Sequence, residues 1–300
     1  MGSFVRLPGS MASVVLAGAA LTAALPAAQA QAQVQAGPQT MVPCSADALA
    51  TAISTANSHS AATLVLPGNC TFDITTPATV ADGLPLITGS ITLAGGANTV
   101  IRRSAVAAFR ILDVASGGTL ILHSITVMNG STSGLGGGIQ NAGTLVVSQS
   151  KLSGNTAGNG GGLSNSAGAT ATVSQTQING NTTTGVGGGG AINSGMLTLS
   201  ASVLSGNTAP INGGGLNTQA AGTSRITHST IVSNISGSLG GGISNLGTTS
   251  LDGAVVTLNK GSAGGGIATS NNNVTIRNST IRNNTPDNCS PLNTIPGCVN

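Results

Sequence analysis

Two short motifs recur along this chain with one shared period, and this repeat constrains the fold more than any other feature. Three glycines are followed, directly or after one residue, by an aliphatic residue at six places, and an asparagine recurs every 25 to 27 residues. The aliphatic residues are Ile139, Leu163, Ile192, Leu216, Ile243 and Ile267, and the asparagines are Asn129, Asn155, Asn181, Asn207, Asn234, Asn259 and Asn284. Two motifs with one period of this length indicate a solenoid of stacked units.

Aligned on the asparagine, the repeats share three further columns. Eight positions before it the residue is always aliphatic, three before it is aliphatic in all repeats but the first, and five before it is small and mostly hydroxylic. The columns are Ile121, Val147, Val173, Leu199, Ile226, Leu251 and Ile276; Thr126, Leu152, Ile178, Leu204, Ile231, Val256 and Ile281; and Ser124, Ser150, Thr176, Ser202, Ser229, Ala254 and Ser279. Aliphatic positions separated by polar ones are typical of β-strands.

Helices do not fit these repeats, because each glycine of a triplet would cost about 1 kcal/mol in a helix. Strands stacked at roughly 4.8 Å per rung would instead align each aliphatic column into a continuous core. Asparagines in register can hydrogen-bond to the rungs above and below them, as in other polar ladders. We therefore predict an all-β fold, a right-handed parallel β-helix with a structural ladder formed by the seven asparagines.

The paired Gly-Gly-Gly-aliphatic and x-x-Asn motifs resemble the repeats of polymorphic outer membrane protein (Pmp-type) proteins and of the wider group of secreted bacterial right-handed parallel β-helix repeat proteins. The resemblance covers roughly Gly89 to Asn284. Leu152, Ile178 and their equivalents replace the phenylalanine that the Pmp-type motif usually carries. The resemblance implies a secreted bacterial protein with an adhesin-like role.

The N-terminus has the pattern of a secretory signal peptide over residues 1–30. Arg6 precedes an apolar run from Met11 to Leu25, and Ala28-Gln29-Ala30 is a small-x-small cleavage site. The apolar run is shorter than the roughly 20 residues of a membrane-spanning helix, so we predict export without a transmembrane segment. Residues 31–43 are predicted to be a linker, 44–88 an N-terminal cap, 89–284 the β-helix repeats and 285–300 a C-terminal tail.

Four cysteines form two sequence pairs, Cys44 with Cys70 and Cys289 with Cys298. Three pairings are open in principle, and the distance between the two ends of a solenoid favours one disulfide at each end. No C-x-x-C or Cys/His cluster accompanies the cysteines, so we predict no metal site. Disulfides agree with an extracellular location.

One helix is predicted, from Ser45 to Asn57, with Leu49, Ala52, Ile53 and Ala56 on one face. Asp47 lies in its first turn, where a negative charge is favourable. This helix is expected to cap the first rung. Strands are expected to follow at Thr63 to Leu66 and Thr71 to Ile74.

Candidate catalytic residues are few, because the chain contains no glutamate and its six aspartates include no adjacent pair. Polysaccharide lyases and glycosidases on this fold need several carboxylates close together. The dipeptides His123-Ser124 and His228-Ser229 are expected to point their two side chains in different directions. Gly-Gly-Gly is not followed by Lys-Ser/Thr, so a phosphate site is not indicated. We predict no catalytic residue, cofactor or metal ligand.

Charge and aromatic content exclude further classes of function. Charged residues make up 5% of the chain and no basic cluster exceeds Arg102-Arg103, which argues against nucleic-acid binding. Beyond the leader, Phe72 and Phe109 are the only aromatic residues, so glycan stacking is limited. These features favour a monomeric, secreted or surface-associated adhesin or scaffold that contacts glycans or cell-surface components. A carbohydrate-active enzyme and an ice-binding hydroxyl array, based on Thr172-x-Ser174 and Thr198-x-Ser200, remain alternatives.

Overall fold

A computed structural model describes residues 39–292 and 294–299, and these residues form a parallel β-helix of about ten turns. All of its sheets are parallel, and one helix accounts for 4% of the structure. The predicted fold class is therefore confirmed. The predicted leader, residues 1–30, and residues 31–38 of the predicted linker lie outside the described residues.

The first part of the solenoid contains the helix and the longer strands. In chain order its elements are β1 (Gln39–Met41), α1 (Ala46–Ala56), β2 (Ala62–Leu66), β3 (Thr71–Ile74), β4 (Ser90–Arg103), β5 (Leu112–Val114) and β6 (Thr119–Met128). Strand β4 pairs with β6, and their register shifts between Ala94 and Thr99 because β4 carries extra residues there. The resulting bulge projects from the outer surface of the early rungs.

From β7 onward the rungs repeat the same short strands, four in each rung up to β23 and three in each of the last two rungs. They are β7 (Ile139–Asn141), β8 (Thr144–Ser148), β9 (Lys151–Ser153), β10 (Thr156–Ala157), β11 (Leu163–Asn165), β12 (Thr170–Ser174), β13 (Gln177–Asn179), β14 (Thr182–Thr183), β15 (Ala191–Asn193), β16 (Met196–Ser200), β17 (Val203–Ser205), β18 (Thr208–Ala209), β19 (Leu216–Thr218), β20 (Thr223–Thr227), β21 (Thr230–Val232), β22 (Ile235–Ser236), β23 (Ile243–Asn245), β24 (Thr248–Asp252), β25 (Val255–Thr257), β26 (Ile267–Thr269), β27 (Val274–Arg277), β28 (Thr280–Arg282) and β29 (Cys289–Ser290).

We name the four strands of a rung by their order, starting from the series that includes β8. The first strands (β8, β12, β16, β20, β24, β27) and second strands (β9, β13, β17, β21, β25, β28) belong to one 17-stranded sheet. The third strands (β10, β14, β18, β22) form a four-stranded sheet, and the fourth strands belong to an eight-stranded sheet. The solenoid wall therefore consists of three sheets.

The aliphatic columns form the core of the solenoid, as predicted. Val147, Val173, Leu199, Ile226 and Leu251 are in register and at most 1% exposed. Each such burial contributes roughly 1.5 to 3 kcal/mol. Because every rung presents the same inward positions, each rung completes the burial of its neighbours.

The first predicted repeat is offset from the others by one residue. Leu122, not Ile121, pairs with Val147, and Val127, not Thr126, pairs with Leu152. Leu122 and Val127 are fully buried, whereas Ile121 lies on the outer side. Alignment on Asn129 was therefore wrong for this rung.

The glycine triplets form the turns that lead into the fourth strands. The first glycine of each triplet has a positive φ, for example 63° at Gly136 and 73° at Gly188. In the run Gly187–Gly190 the residue in register with Leu163 and Leu216 is Ala191, so Ile192 was misaligned by one position. Ala191 is buried in the core, and Ile192 faces outward.

The N-terminal cap contains the predicted helix. Ser45 is its N-cap and accepts a hydrogen bond from the backbone N–H of Ala48, while Leu49, Ile53 and Ala56 are buried against the early strands. One expectation was wrong here, because residues 39–41 of the predicted linker form β1 and pair in parallel with β2. The stack therefore begins before the cap.

Both predicted disulfides are present, with Cα–Cα distances of 5.8 Å for Cys44–Cys70 and 6.3 Å for Cys289–Cys298. The C-terminal tail also joins the stack, because β29 pairs with β26. Ile295 is buried beyond the last rung. Among the described residues, no helix has the length and hydropathy needed to cross a membrane.

Candidate functional site

The bend between the first and second strands shapes the outer surface of the solenoid. One residue per rung has a positive φ, between 46° and 63°, at this bend: Ser124, Gln149, Gln175, Ala201, His228, Gly253 and Asn278. The next residue points inward, and in most rungs it carries a hydroxyl that accepts a backbone N–H from the preceding rung. Ser202 Oγ, for example, accepts from Thr176 at 3.1 Å. The bend is therefore held from inside by the predicted hydroxylic column.

A groove of about 520 Å³ lies outside this bend in the early rungs. Its lining residues are Gly96, Ala97, Asn98, Thr99, Ser124, Ile125, Thr126, Gln149, Ser150, Lys151, Gln175 and Gln177. The β4 bulge supplies one part of the lining, and the three rungs that follow it supply the rest. Gln149 donates from Nε2 to Oε1 of Gln175 at 3.4 Å, so the two amides stack along the solenoid axis.

The chemistry of the groove suits hydrogen bonding to a polar ligand. Amides offer both donors and acceptors, and Lys151 offers an ammonium group. The lining contains no carboxylate, histidine or cysteine. Glycosidases use a pair of carboxylates beside the bond they cleave, and this lining does not contain such a pair.

The six aspartates lie apart from the groove. Asp47 is in the helix, Asp73 pairs with Arg102, Asp252 accepts from Asn278, and Asp287 accepts from the backbone of Gly265. Asp82 and Asp113 both flank Arg110. In the described part of the chain, no group of three or more His, Cys, Asp or Glu residues could hold a metal ion.

The cluster around Arg110 is the densest group of charges. Arg110 Nε lies 2.8 Å from Asp82 Oδ1, and its Nη1 lies 3.6 Å from Asp113 Oδ2. Burial raises the pKa of Asp113, and Arg110 opposes this shift while Asp82 adds to it. Arg110 lies between the two carboxylates, and Thr79 donates to Asp82 at 2.9 Å, so the cluster ties the loop before β4 to β5.

The two His-Ser dipeptides do not form catalytic pairs. His123 Nδ1 lies 2.9 Å from Oγ of Ser148 in the next rung, and Ser124 occupies the bend. Ser229 donates inward to the carbonyl of Thr227, while His228 occupies the bend of its own rung. Neither histidine contacts a carboxylate within the described ranges, so neither has the orienting acid of a hydrolase triad.

The asparagine ladder lies at the second bend, between the second and third strands. Asn207 shows the repeated pattern, because its Oδ1 accepts from the backbone N–H and Nδ2 of Asn181, and its Nδ2 donates to Asn234 and to the carbonyl of Ile178. Six of the seven predicted asparagines form the ladder: Asn155, Asn181, Asn207, Asn234, Asn259 and Asn284. The first five of these are at most 1% exposed.

Asn129 is not a member of the ladder. It is exposed and has a φ of 62°, which matches the corner glycine Gly154 of the next rung. Gly130 takes the ladder position and donates its N–H to Asn155 at 2.9 Å. Because asparagine tolerates a left-handed backbone almost as glycine does, a corner asparagine resembled a ladder asparagine and shifted the alignment by one residue.

The glycine triplets and the ladder asparagines share one period because the third glycine of a triplet packs against a ladder asparagine. A Cβ on Gly215, the third glycine of its triplet, would lie 2.7 Å from the carbonyl oxygen of Gly242 and 3.1 Å from Nδ2 of Asn234. The corresponding glycines of other rungs have the same neighbours. Glycine is required there because the ladder leaves no room for a side chain.

A second buried ladder, not predicted from the sequence, lies at the end of the fourth strands. Asn141 donates to Asn165, and Asn165 to Asn193, at 2.7 and 2.8 Å. The series continues through Thr218, Asn245 and Thr269, joined by Ser224 and Thr249. The signal was present in the sequence, because Asn or Thr stands two residues after the core residue that follows each triplet.

The first ladder ends in the tail. Asn288 Oδ1 accepts from both the backbone N–H and Nδ2 of Asn284, at 3.2 and 3.0 Å. Asn288 in turn donates to the carbonyl of Val299. The predicted boundary between repeats and tail at residue 284 therefore separates residues that form one hydrogen-bonded unit.

No protein-family model matches the chain, and no curated protein is similar to it at a significant level. The candidate site therefore rests on the geometry alone.

Proposed function

We propose that this protein is a non-catalytic, extracellular β-helix protein that acts as an adhesin or structural scaffold and binds glycans or other cell-surface components. The observation that carries this proposal is the groove beside Gln149, Lys151 and Gln175, which has hydrogen-bonding groups and no carboxylate. Such a lining can hold sugar hydroxyls and lacks the pair of carboxylates with which glycosidases cleave a glycosidic bond.

The repetition of rungs supports an extended ligand over a compact one. Gln149 and Gln175 occupy the same position in successive rungs, roughly 4.8 Å apart. A polymer that lies along the solenoid axis would meet a glutamine amide at both of these rungs, and weak contacts at both would together strengthen its binding.

An extracellular location is supported by the two disulfides and by the composition of the N-terminus. We expect a monomer that carries no cofactor and does not bind nucleic acid. The cap and the tail are each stapled by a disulfide, which would stabilise the two end regions of the stack.

The proposal is tested by binding of the purified protein to a glycan array and to whole cells, with release of sugar products assayed in parallel. We expect saturable binding without product. A Lys151→Ala/Gln175→Ala variant should lose this binding, and Lys260→Ala, which removes an exposed lysine from another sheet, should retain it. Release of reducing or unsaturated sugar ends by the purified protein would show instead that it is an enzyme.

A further inference from the structure

The first strands present a second outer surface, which we call the hydroxyl face. Each first strand has three outward positions, and the hydroxyl face consists of the first two columns that these positions form along the solenoid. The third column, which includes His123 and Asp252, lies beside the face. The two columns of the face are Ser90, Thr119, Thr144, Thr170, Met196, Thr223 and Thr248, and Thr92, Ile121, Val146, Thr172, Thr198, Arg225 and Ser250. Ten of the fourteen side chains carry a hydroxyl, and two more are β-branched aliphatics.

The hydroxyls of this face are free to bind a ligand. None of the ten donates to or accepts from another group among the described residues, whereas the inward hydroxyls are engaged with the backbone. Thr144, Thr170, Thr223 and Thr248 are exposed. The first five rungs of the face, from Ser90 to Thr198, contain no charged residue.

The buried second ladder fixes the position of this face. Asn141, Asn165 and Asn193 donate from Nδ2 to the backbone carbonyls of Thr170, Met196 and Thr223, at distances of 3.1, 3.0 and 2.9 Å. The starts of β12, β16 and β20 are therefore anchored to the core. Because the hydroxyls are already held in fixed positions, a ligand that matches those positions would bind with a smaller loss of conformational entropy.

The spacing of the face limits the kind of ligand it can match. Neighbouring rungs are roughly 4.8 Å apart, and outward residues two apart in a strand are separated by about 6.6 Å. An array that repeats in two directions matches a ligand that also repeats in two directions, which is the face of a crystal. A single glycan chain repeats in one direction and suits the groove better.

We propose that the hydroxyl face binds ice. Regularly spaced hydroxyls can hydrogen-bond to ordered water, and the methyl groups between them do not compete for that water. A crystalline polysaccharide is the other periodic surface of this kind, and proteins commonly bind flat sugar surfaces through aromatic rings, which this face lacks. This activity is independent of glycan binding at the groove.

The test measures thermal hysteresis and inhibition of ice recrystallisation by the purified protein. We expect both activities in the wild type and their loss in Thr172→Lys, which places a charge within the uncharged rungs. Thr208→Lys is the matched control, because this exposed threonine lies on the four-stranded sheet. Circular dichroism should show that both variants keep the fold of the wild type.

A gain-of-function variant makes the test two-sided. Met196→Thr/Arg225→Thr removes the two interruptions of the array, and Arg225 has no salt-bridge partner among the described residues. We expect more thermal hysteresis in this variant than in the wild type. Absence of hysteresis in the wild type, or hysteresis that Thr172→Lys does not reduce, would overturn the proposal. If the wild type lacks ice activity but adsorbs to microcrystalline cellulose or chitin, and Thr172→Lys abolishes this adsorption, the face binds a crystalline polysaccharide and not ice.

Discussion

The two buried ladders perform the same task with different degrees of regularity. In the ladder at the second bend every interior member is asparagine and makes the same bonds to both neighbouring rungs. In the ladder at the end of the fourth strands, asparagine is replaced by Thr218 and Thr269, and additional hydroxyls join the network.

The turns beside the two ladders explain this difference. At the second bend the backbone is constant, with one left-handed residue directly before each ladder position, as at Gly154 and Gly206. After the fourth strands the turn alternates between two residues, as in 142–143, and four residues, as in 166–169. Constant geometry selects one residue type, whereas alternating geometry moves the partner atoms and allows several types.

The largest effect is expected at the regular ladder. Asn207→Ala should remove the acceptor of Asn181 and the donor to Asn234 in the buried interior, and destabilise the protein by about 1 to 3 kcal/mol. Urea unfolding followed by circular dichroism measures this loss, with Gln149→Ala as the exposed control. If Asn207→Ala lowers the free energy of unfolding no more than the control does, the ladder does not stabilise the fold.

A smaller effect is expected at the mixed ladder. Asn165→Ala should cost about 1 kcal/mol, because the Nδ2 of its donor Asn141 also has the carbonyls of Gly143 and Thr170 as acceptors. The same unfolding measurement applies. If Asn165→Ala costs more than Asn207→Ala, regularity of the ladder is not what sets its energetic contribution.

A substitution at the corner formed by Leu258, beside the regular ladder, is expected to stabilise the protein. Leu258 has a φ of 57° at the position that Gly154, Gly180 and Gly206 occupy in earlier rungs. Leu258→Gly should stabilise the protein by about 0.5 to 1 kcal/mol, because relief of the left-handed strain exceeds the added chain entropy. Met196→Gly is the control at a strand position with ordinary φ, where the same change should destabilise. Destabilisation by Leu258→Gly would contradict the constant corner geometry.

The smallest effect concerns pH. The pKa of Asp113 is raised by burial above its ordinary value of 3.8, so the folded state holds this proton more tightly than the unfolded state. Stability from this group is therefore lost as the pH rises from about 3.8 through the folded pKa. Asp113→Asn should weaken this pH dependence of the unfolding free energy.

The ladders provide the control for the pH measurement, because neither contains a titratable side chain. The penalty of Asn207→Ala should be the same at pH 3.5 and at pH 7. A pH-dependent penalty for Asn207→Ala, or an unchanged pH profile in Asp113→Asn, would contradict the attribution of this pH dependence to Asp113.

Much of the fold could be predicted because the repeat is local and frequent. The aliphatic columns from Val147 onward, the helix after Ser45 and the two disulfides all follow from spacing and residue type. Predictions failed where two residue types share one conformational property. Asn129 was assigned to the ladder because asparagine, like glycine, can occupy a left-handed corner, and Ile192 was aligned one position late because four glycines precede Ala191.

Less of the candidate site than of the fold could be predicted from the sequence. The groove combines Asn98 and Gln177, which are far apart in the sequence and meet only through the stacking of rungs. The first column of the hydroxyl face was missed because its residues lie at strand starts, where the turn length before them alternates. Its members come into register only when the hydrogen bonds of neighbouring rungs are known.

The sequence by itself determined the solenoid, its period, its core columns and most of its first ladder, because each rung repeats the same pattern of side chains and each pattern has one way to bury its apolar face. Tertiary structure decided the register between rungs, the groove, the hydroxyl face and the second ladder. The physical reason is that these features depend on which residues become neighbours at roughly 4.8 Å across the stack, and that distance is set by hydrogen bonds between rungs.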